Sequence, residues 1–495
     1  MKTKKQTISK SQYLKGIQCP KALWYYRYRR DLAPEISESL QFIFDIGHEV
    51  GELAQKYFKG GIEIKEEYYE IDKAIKSTQK AVRQGAKIIF EATASSRDGV
   101  YSRIDILKKV RGSDRWDMIE VKSSTSVKEY HIDDMAVQKY AFTNAGYKIR
   151  KSILMHLNRH YERFGELDLK ELFDLEDCTK VVNNKMDNVV ENVKDLIKVV
   201  NKRKEPAVDI GAHCTSPFSC DYMAHCWAHI PDYSVYNIFS GKKLIGLLSE
   251  NILNISDIPD NFKATDRQQI EINSQKNKRI YKDTKKIKEF LNSLKYPLYY
   301  LDYETINPAI PLFNNTSPYR QIPFQFSLHI QKKKGGKLKH IEFLHTGQDD
   351  PRPALINSLL KNCGEKGSVV VYNKGFESRI NYMLGRDFSR FYGKLKEINN
   401  RMVDIMTPFK TRFLYHPKME GSASLKNVLP AFVPRMGYDK LEIQDGGTAS
   451  ILYFSCIKNM VSEEDKIKIY KDLSDYCKQD TLAEVKLLEV LYRNG

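Results

Sequence analysis

Apolar residues in the first half of the chain change from a helical spacing to an alternating one. Over residues 12–58 the large apolar side chains recur every three to four positions, which predicts helices. Beyond these helices the spacing falls to two, which is typical of half-buried strands. Residues 1–230 are therefore predicted to form one α/β domain. Three consecutive strands are expected at 87–95, 100–110 and 115–124. Two later helices are expected at 132–146 and 180–203.

A polar stretch rich in Lys and Asn separates this pattern from a second one. Residues 231–294 carry a weak helical signal, and we interpret them as a helical connector. Alternating apolar segments return in YPLYYLDYE, FQFSLHIQ and GSVVVYN, and a long amphipathic pattern runs from 464 to 493. The predicted fold class is α/β throughout, with a second domain over 295–495.

Composition favours a polyanionic partner. The 495 residues include 80 Lys and Arg against 63 Asp and Glu, which gives a formal net charge of +17. This excess suits binding to nucleic acid with release of counterions, although a generally lysine-rich proteome produces the same charge. No apolar run approaches the roughly 18 residues of a membrane span, and the basic first residues lack an apolar signal core. We therefore expect a cytoplasmic protein without a membrane partner.

Two carboxylates and a lysine fall on neighbouring strands of the first domain. If residues 111–114 form the turn, Asp105 stands opposite Glu120, and cross-strand Cβ atoms are roughly 4.5 to 5.5 Å apart. Lys122 projects from the same face as Glu120. Two carboxylates on one divalent cation beside an ammonium group suit phosphodiester hydrolysis. The alternative is a surface hairpin without catalytic function, in which the acids stand across the strands and the lysine forms a salt bridge.

A second set of acids lies in the C-terminal domain. Asp302 and Glu304 alternate with apolar residues in YLDYETI, so they share one face of a strand. Tyr476 and Asp480 are four positions apart on the predicted final helix and share a face there. Glu377 comes shortly after the strand VVVYN. Acids on a buried strand at this spacing indicate a metal site.

Eight cysteines in a large basic chain argue against a disulfide framework. Cys214, Cys220 and Cys226 are close enough in sequence for one loop to wrap a metal centre, and Cys19 is the candidate fourth ligand. Four thiolates suit zinc and iron-sulfur clusters equally well. The remaining thiols are interpreted as ordinary core or surface cysteines, at Cys178, Cys363, Cys456 and Cys477.

The segments around Asp105 and Glu120, RIDIL and IEVK, resemble RecB-like nucleases of the PD-(D/E)XK superfamily. This resemblance implies a restriction-endonuclease-like fold with Mg2+ or Mn2+ on the acids, and a helical histidine as a further ligand. The family has a tyrosine four positions after the glutamine, where this chain has Phe142; Tyr140 is nearer, so the assignment of the tyrosine stays open. Glu91, on the preceding strand, is expected to line the same site. The implied site residues are the metal ligands His48, Asp105 and Glu120 and the catalytic residues Lys122 and Gln138.

The arrangement of one early and three late cysteines resembles the iron-sulfur staple of RecB-family nucleases. The resemblance implies a 4Fe-4S cluster that ties the ends of the domain together, with zinc as the alternative. Closing so long a loop constrains the unfolded chain, so the implied role is structural. The implied ligands are Cys19, Cys214, Cys220 and Cys226.

The C-terminal acids resemble the DEDD exonuclease superfamily, which has a ribonuclease H-like fold. The matching motifs are D-x-E at Asp302 and Glu304, N-x-x-F followed by an acid at Glu377, and Y-x3-D ending at Asp480. The resemblance implies two divalent cations held by these four carboxylates, with Tyr476 orienting the attacking water. Glu377 departs from the family, which usually has aspartate there.

Together the two resemblances imply a metal-dependent nuclease that hydrolyses DNA, with single strands or ends as the favoured substrate and a second exonuclease site. The sequence contains no phosphate-binding P-loop, so a separate helicase is the partner expected to supply unwound strand. The alternative is a nucleic-acid-binding or scaffold component in which one or both nuclease folds are silent. DNA versus RNA, polarity and endonucleolytic versus exonucleolytic cutting stay open.

Overall fold

The structure is a computed structural model that describes residues 7–495. It is a mixed α/β protein with several sheets, and it divides into two compact units. The first unit holds the described residues up to His229 together with Pro308–Tyr319, and the second holds Ile230–Asn307 and Arg320–Gly495. Residues 231–294, interpreted from sequence as a connector, therefore cluster with the second unit. No helix within residues 7–495 is both long and apolar enough to cross a membrane.

The first unit is built around a mixed sheet. Its strands are β1 (Ile8–Ser9), β2 (Ile62–Glu63), β3 (Ile88–Ser95), β4 (Val100–Lys109), β5 (Arg115–Lys122), β6 (Lys148–Leu157) and β7 (Phe173–Asp177). The order is β2-β3-β4-β5-β6-β7, with β1 paired in parallel to β4. The three predicted strands correspond to β3, β4 and β5, whereas β6 and β7 were not predicted.

Helices cover both faces of this sheet. Val50 and Ala54 of α3 pack with Ile106 and Ile119 on one side, and Met135 of α5 lies in the separate core on the other side. The helices of this unit are α1 (Lys10–Gln18), α2 (Pro20–Tyr28), α3 (Glu38–Tyr57), α4 (Ile71–Arg83), α5 (Glu129–Asn144), α6 (Leu169–Leu172), α7 (Thr179–Asn184), α8 (Met186–Asn201) and α9 (Met223–Cys226).

The second unit contains a mixed sheet of order β11-β10-β9-β12-β13 and a short strand pair, β8 with β14. Strand β9 lies at the centre, antiparallel to β10 and parallel to β12. The strands are β8 (Tyr281–Lys282), β9 (Leu298–Ile306), β10 (Ile322–Gln331), β11 (Leu338–Leu344), β12 (Ser368–Val371), β13 (Met402–Asp404) and β14 (Leu414–Tyr415).

The predicted alternation along β9 is confirmed. Leu301 and Tyr303 lie in the apolar core with residues of α14 and α15, so Asp302 and Glu304 take the opposite face. The helices of this unit are α10 (Val235–Ile238), α11 (Gly241–Ser249), α12 (Asp266–Asn277), α13 (Thr284–Asn292), α14 (Pro351–Asn362), α15 (Lys374–Asp387), α16 (Tyr392–Asn400), α17 (Thr407–Lys410), α18 (Leu425–Phe432), α19 (Gly446–Ile457) and α20 (Glu463–Asn494).

Candidate functional site

Strands β4 and β5 pair in the register that the turn at 111–114 predicts. Ile106 pairs with Ile119 and Leu107 with Met118. Extending this register by one residue places Asp105 opposite Glu120. At that point the regular ladder ends, and the backbone N–H of Val121 donates to Oδ2 of Asp105 at 2.6 Å. The Asp105 carboxylate is therefore fixed beside the strand that carries Glu120.

Glu91 of β3 lies on the other side of Asp105. Phe90 pairs with Ile106 and Ala92 with Ile104, so Glu91 stands across from Asp105 where one ladder pair is interrupted. Its φ of 58° lies in the left-handed region, which is unfavourable for a residue with a Cβ and is frequent at functional sites. Burial raises the pKa of Glu91, and the nearby Glu120 adds to the rise while Arg103 opposes it.

A cavity of about 470 Å³ opens beside these acids. His48 of α3, Glu91 and Asp105 all line it, so the structure brings the predicted histidine and one predicted carboxylate to the same space. The pKa of Asp105 is raised well above its ordinary value, first by burial and then by Glu120. A cation bound here would relieve that unfavourable charge.

Glu120 lies in a network of predicted residues and of two residues that the sequence did not suggest. Its Oε1 accepts from the Nζ atoms of Lys10 at 3.0 Å and Lys122 at 2.7 Å, and its Oε2 accepts from Gln138 at 2.7 Å. Asp134 of α5 shares the same three donors, at 3.2, 2.7 and 3.0 Å. The predicted residues Glu120, Lys122 and Gln138 thus meet in one buried network. Lys10 and Asp134 also belong to this network, and the sequence analysis did not identify them.

The charges in this network stabilise one another. Burial by itself would raise the pKa of Asp134, but Lys10 and Lys122 outweigh it and hold the pKa below the ordinary range. Burial would likewise lower the pKa of Lys122, but Asp134 and Glu120 keep it well above the ordinary value. Within residues 7–495, His48, Asp105 and Glu120 do not bring three ligand atoms within 4.8 Å of one another. A cation at His48 and Asp105 would therefore need Glu120 to turn away from its ammonium partners.

The aromatic residues after Gln138 face away from this network. The phenol of Tyr140 donates to Asp98, and Phe142 is buried in the apolar core. Tyr140 and Phe142 are thus engaged in other contacts, and the assignment of the tyrosine of the resembled family stays open.

The four predicted cysteine ligands converge on one small cavity. Cys19, Cys214, Cys220 and Cys226 all line it, although Cys19 enters from the start of α2. Burial raises the pKa of the Cys220 thiol, and the neighbouring Cys19 and Cys214 sulfurs raise it further. Four cysteines around one cavity fit a shared metal or cluster, and this chemistry suits either iron-sulfur or zinc.

The second unit brings its four predicted acids together from three elements. Asp302 and Glu304 come from β9, Glu377 from the first turn of α15, and Asp480 from α20. Burial raises the pKa of both Asp302 and Glu304 well above the ordinary value, and the nearby Asp480 adds to both. Burial and then Asp302 raise the pKa of Glu377 to about 9. Within residues 7–495 none of these acids forms an ion pair with a cationic side chain, although the positive charge of Lys426 acts on Asp480 and lowers its pKa.

Asp480 has two phenols beside it. The hydroxyl of Tyr438 donates to its Oδ1, and the Tyr476 ring lies 5.9 Å from the Tyr438 ring. Burial raises the pKa of Asp480 to about 6, which Tyr438 and Tyr476 partly offset. Tyr476 is therefore next to the carboxylates, as the motif predicted, whereas Tyr438 was missed because it lies outside the motif.

Two further residues of α20 belong to this centre and were missed. Glu484 is 1% exposed, and burial raises its pKa, followed by the charges of Asp302, Glu377 and Asp480. The thiol of Cys477 donates to Oδ2 of Asp302 at 3.6 Å, so the interpretation of Cys477 as an ordinary thiol overlooked its location. Glu484 could have been found from the sequence, because it lies four residues, about one helical turn, after Asp480 and therefore shares its face of the helix.

Asp404 positions Glu377 through the start of α15. Its carboxylate accepts the backbone N–H groups of Asn373 at 3.1 Å and Lys374 at 3.2 Å. Asn373 has a φ of 83°, in the left-handed region that asparagine tolerates better than most residues. The cap fixes the first helical turn, from which Glu377 reaches Asp302.

Comparison with known proteins matches a segment that lies mostly in the second unit to a family. Residues 299–424 fit a domain of unknown function, DUF2779. The matched range includes Asp302, Glu304 and Glu377 but ends before Asp480.

Three further comparisons cover larger parts of the chain. It is 28% identical over 221 residues to the uncharacterized protein MG366 of Mycoplasma genitalium, which covers 41% of this chain and 33% of that protein. It is 26% identical over 284 residues to the uncharacterized protein UU173 of Ureaplasma parvum, which covers 51% of this chain and 40% of that protein. The matches thus span well under half the length of these relatives. Among solved structures, the crystal structure of SSO0001 has 15% identity and a TM-score of 0.24, over 47% of this chain and 90% of that one.

Proposed function

We propose that the protein is a metal-dependent nuclease that hydrolyses phosphodiester bonds, with single-stranded DNA and DNA ends as the favoured substrates. The observation that carries the proposal is the acidic centre of the second unit. Asp302, Glu304, Glu377, Asp480 and Glu484 are collected there, and none of them forms an ion pair with a cationic side chain of residues 7–495.

Divalent cations account for this arrangement. Burying several carboxylates without a cation is costly in free energy, and a hard divalent ion with oxygen ligands removes that cost. When bound, Mg2+ or Mn2+ would lower the pKa of a coordinated water and stabilise charge on the phosphate. Asp302, Glu304, Glu377 and Asp480 would hold the ions. Tyr476 would orient the attacking water, and the proposed fold of this unit is ribonuclease H-like.

The first unit supports a second catalytic centre of different design. His48 and Asp105 would hold a cation at the cavity, and Glu120 would be a further ligand in a conformation turned away from Lys10 and Lys122. Lys122 and Gln138 would then face the reacting phosphate, where an ammonium group offsets developing negative charge. The proposed fold is restriction-endonuclease-like, and a 4Fe-4S cluster, or zinc, would join Cys19 to the three later cysteines.

The substrate preference follows from charge and exposed rings. The net charge of +17 suits a polyanion. Tyr68 is 79% exposed and lines the same cavity as Asp105, so its ring is accessible for stacking an unpaired base. A separate helicase is the proposed source of unwound strand.

The test uses the full chain with end-labelled single-stranded DNA, double-stranded DNA and RNA. Wild type, Asp105→Ala and Asp302→Ala are compared in Mg2+, in Mn2+ and with EDTA. We expect metal-dependent cleavage that EDTA abolishes, with each substitution removing a separable part. If the wild type retards labelled DNA but cleaves none of the substrates in either metal, the proposal fails and the chain is a binding or scaffold component.

A further inference from the structure

A thiol belongs to the acidic centre of the second unit. Cys477 lies on α20 with no exposed surface, and its Sγ is 3.6 Å from Oδ2 of Asp302. The ligand atoms of Asp302, Glu304 and Cys477 all lie within 4.8 Å of one another. Within residues 7–495, no other three His, Cys, Asp or Glu residues place their ligand atoms within this distance of one another. Its spacing is suited to a single ion.

Two buried oxygen atoms of the same centre are a second observation in favour of a cation here. Oε2 of Glu377 and Oε2 of Glu484 have no hydrogen-bond partner, although these residues are only 2% and 1% exposed. Asp302 is the leading charged neighbour of both carboxyl groups. An unsatisfied buried carboxylate oxygen costs free energy, so a positive ion between these groups explains what the side chains alone do not.

We propose that Cys477 is a thiolate ligand of this centre, so that the centre prefers thiophilic divalent ions such as Co2+ and Zn2+ to Mg2+. The inference rests on the second site being a metal centre of the proposed nuclease. Oxygen ligands suit Mg2+ and Mn2+, whereas a thiolate shifts the preference towards Zn2+ and its neighbours. On binding, the thiol releases its proton to solvent and the sulfur forms a bond to the metal, with no change of oxidation state.

Cobalt provides a direct readout, because a thiolate–Co2+ bond produces a ligand-to-metal charge-transfer absorption. Metal-free full-length wild type, Cys477→Ser and Cys456→Ser are titrated with Co2+. Cys456 is the matched control, because it is also buried, at 1% exposure, and lies in the same unit outside the centre. The four clustered cysteines of the first unit are common to all three proteins and cancel in difference spectra.

We expect a charge-transfer component that Cys477→Ser lacks and Cys456→Ser retains. In competition with Mg2+, the preference for Co2+ should fall at least about tenfold in Cys477→Ser, which corresponds to roughly 1.4 kcal/mol. Identical cobalt spectra and an unchanged metal preference in all three proteins would overturn the inference.

A measurement on wild type alone guards against a folding defect in the variant. Bound Co2+ should slow alkylation of Cys477 by a small thiol reagent, followed by peptide mass spectrometry, and leave alkylation of Cys456 unchanged. If Co2+ leaves the alkylation rate of Cys477 unchanged, as it should that of Cys456, thiolate ligation is contradicted. Cobalt binding through Cys477 without cleavage of any nucleic acid would retain the inference and reject the nuclease. Cleavage of nucleic acid with the same metal preference in wild type and Cys477→Ser would support the nuclease and reject the inference that Cys477 is a ligand.

Discussion

The Nζ atom of Lys10 lies 3.0 Å from Oε1 of Glu120, although 110 positions separate the two residues. The pairing of β1 with β4 and the cap of α1 bring Lys10 there, since Ser9 accepts the backbone N–H of Gln12 and Gln12 accepts that of Ser9. Lys10 therefore joins Lys122 in neutralising two buried carboxylates, those of Glu120 and Asp134. The first centre balances its charge with side chains, whereas the acids of the second centre form no ion pair with a cationic side chain of the described residues 7–495.

Lys10→Met is expected to lower the free energy of unfolding of the metal-free protein by about 2 kcal/mol, because it leaves buried carboxylates short of a partner. Chemical denaturation measures the change. Lys15→Met on the same helix is the control, since Lys15 pairs with the half-exposed Asp221 and such a pair contributes about 0 to 1 kcal/mol. Equal losses in the two variants would contradict a special role for Lys10.

Lys122→Ala should reduce cleavage by the first centre about 100-fold or more, because the ammonium no longer offsets charge at the phosphate. DNA binding should change little, since most of the basic surface remains. Labelled single-stranded DNA is used for both measurements, in an Asp302→Ala background that silences the second centre. Lys87→Ala, at an exposed position, should cleave normally. Unchanged cleavage by Lys122→Ala would remove it from the catalytic set.

Protein purified without oxygen should be brown and contain iron if the four converging cysteines hold a 4Fe-4S cluster. Cys220→Ser should lose the colour and much of the solubility, because the cluster links distant parts of the first unit. Cys178→Ser is the control, since Cys178 is buried in the same unit but outside the group. Colourless protein with one equivalent of zinc would assign the group to zinc instead.

The metal-free protein should lose stability as the pH rises from about 5 to 9, since burial holds the pKa of Glu377 near 9 against an ordinary value of 4.5. In this window the folded state retains a proton that the unfolded state releases. Asp480, with a pKa of about 6, adds to the slope at the acid end. Divalent cations should flatten the profile because they replace the proton.

Denaturation at several pH values tests this dependence. Glu377→Gln should reduce the slope in the metal-free protein by up to about 1.4 kcal/mol per pH unit, whereas the exposed Glu365→Gln should not. The same slope in Glu377→Gln and wild type would show that Glu377 is not the group responsible.

Glu377→Asp tests the one departure from the resembled exonuclease motif. In an Asp105→Ala background, the substitution is expected to keep or raise cleavage with Mn2+, because it restores the usual ligand. Combined mutation of Asp302 and Asp480 to Ala should abolish that cleavage, since it removes ligands from two elements. If the Asp105→Ala protein degrades no substrate in Mg2+ or Mn2+, the second unit is a binding platform.

The sequence by itself determined the features that depend on local geometry. The turn at 111–114 sets the register of β4 and β5, and alternation along β9 puts Asp302 and Glu304 on one face, because strand side chains alternate. Helical spacing placed Tyr476 beside Asp480 on α20 for a similar reason.

Only the tertiary structure decided which distant groups meet these residues. Lys10 reaches Glu120 through the pairing of β1 with β4, and Cys477 reaches Asp302 through the packing of α20 on β9. Neither contact leaves a periodic signal in the chain, because each depends on how separate elements pack. The orientation of Glu120 towards ammonium groups and the unpaired oxygen of Glu484 likewise arise from side chains that folding brings together and removes from water.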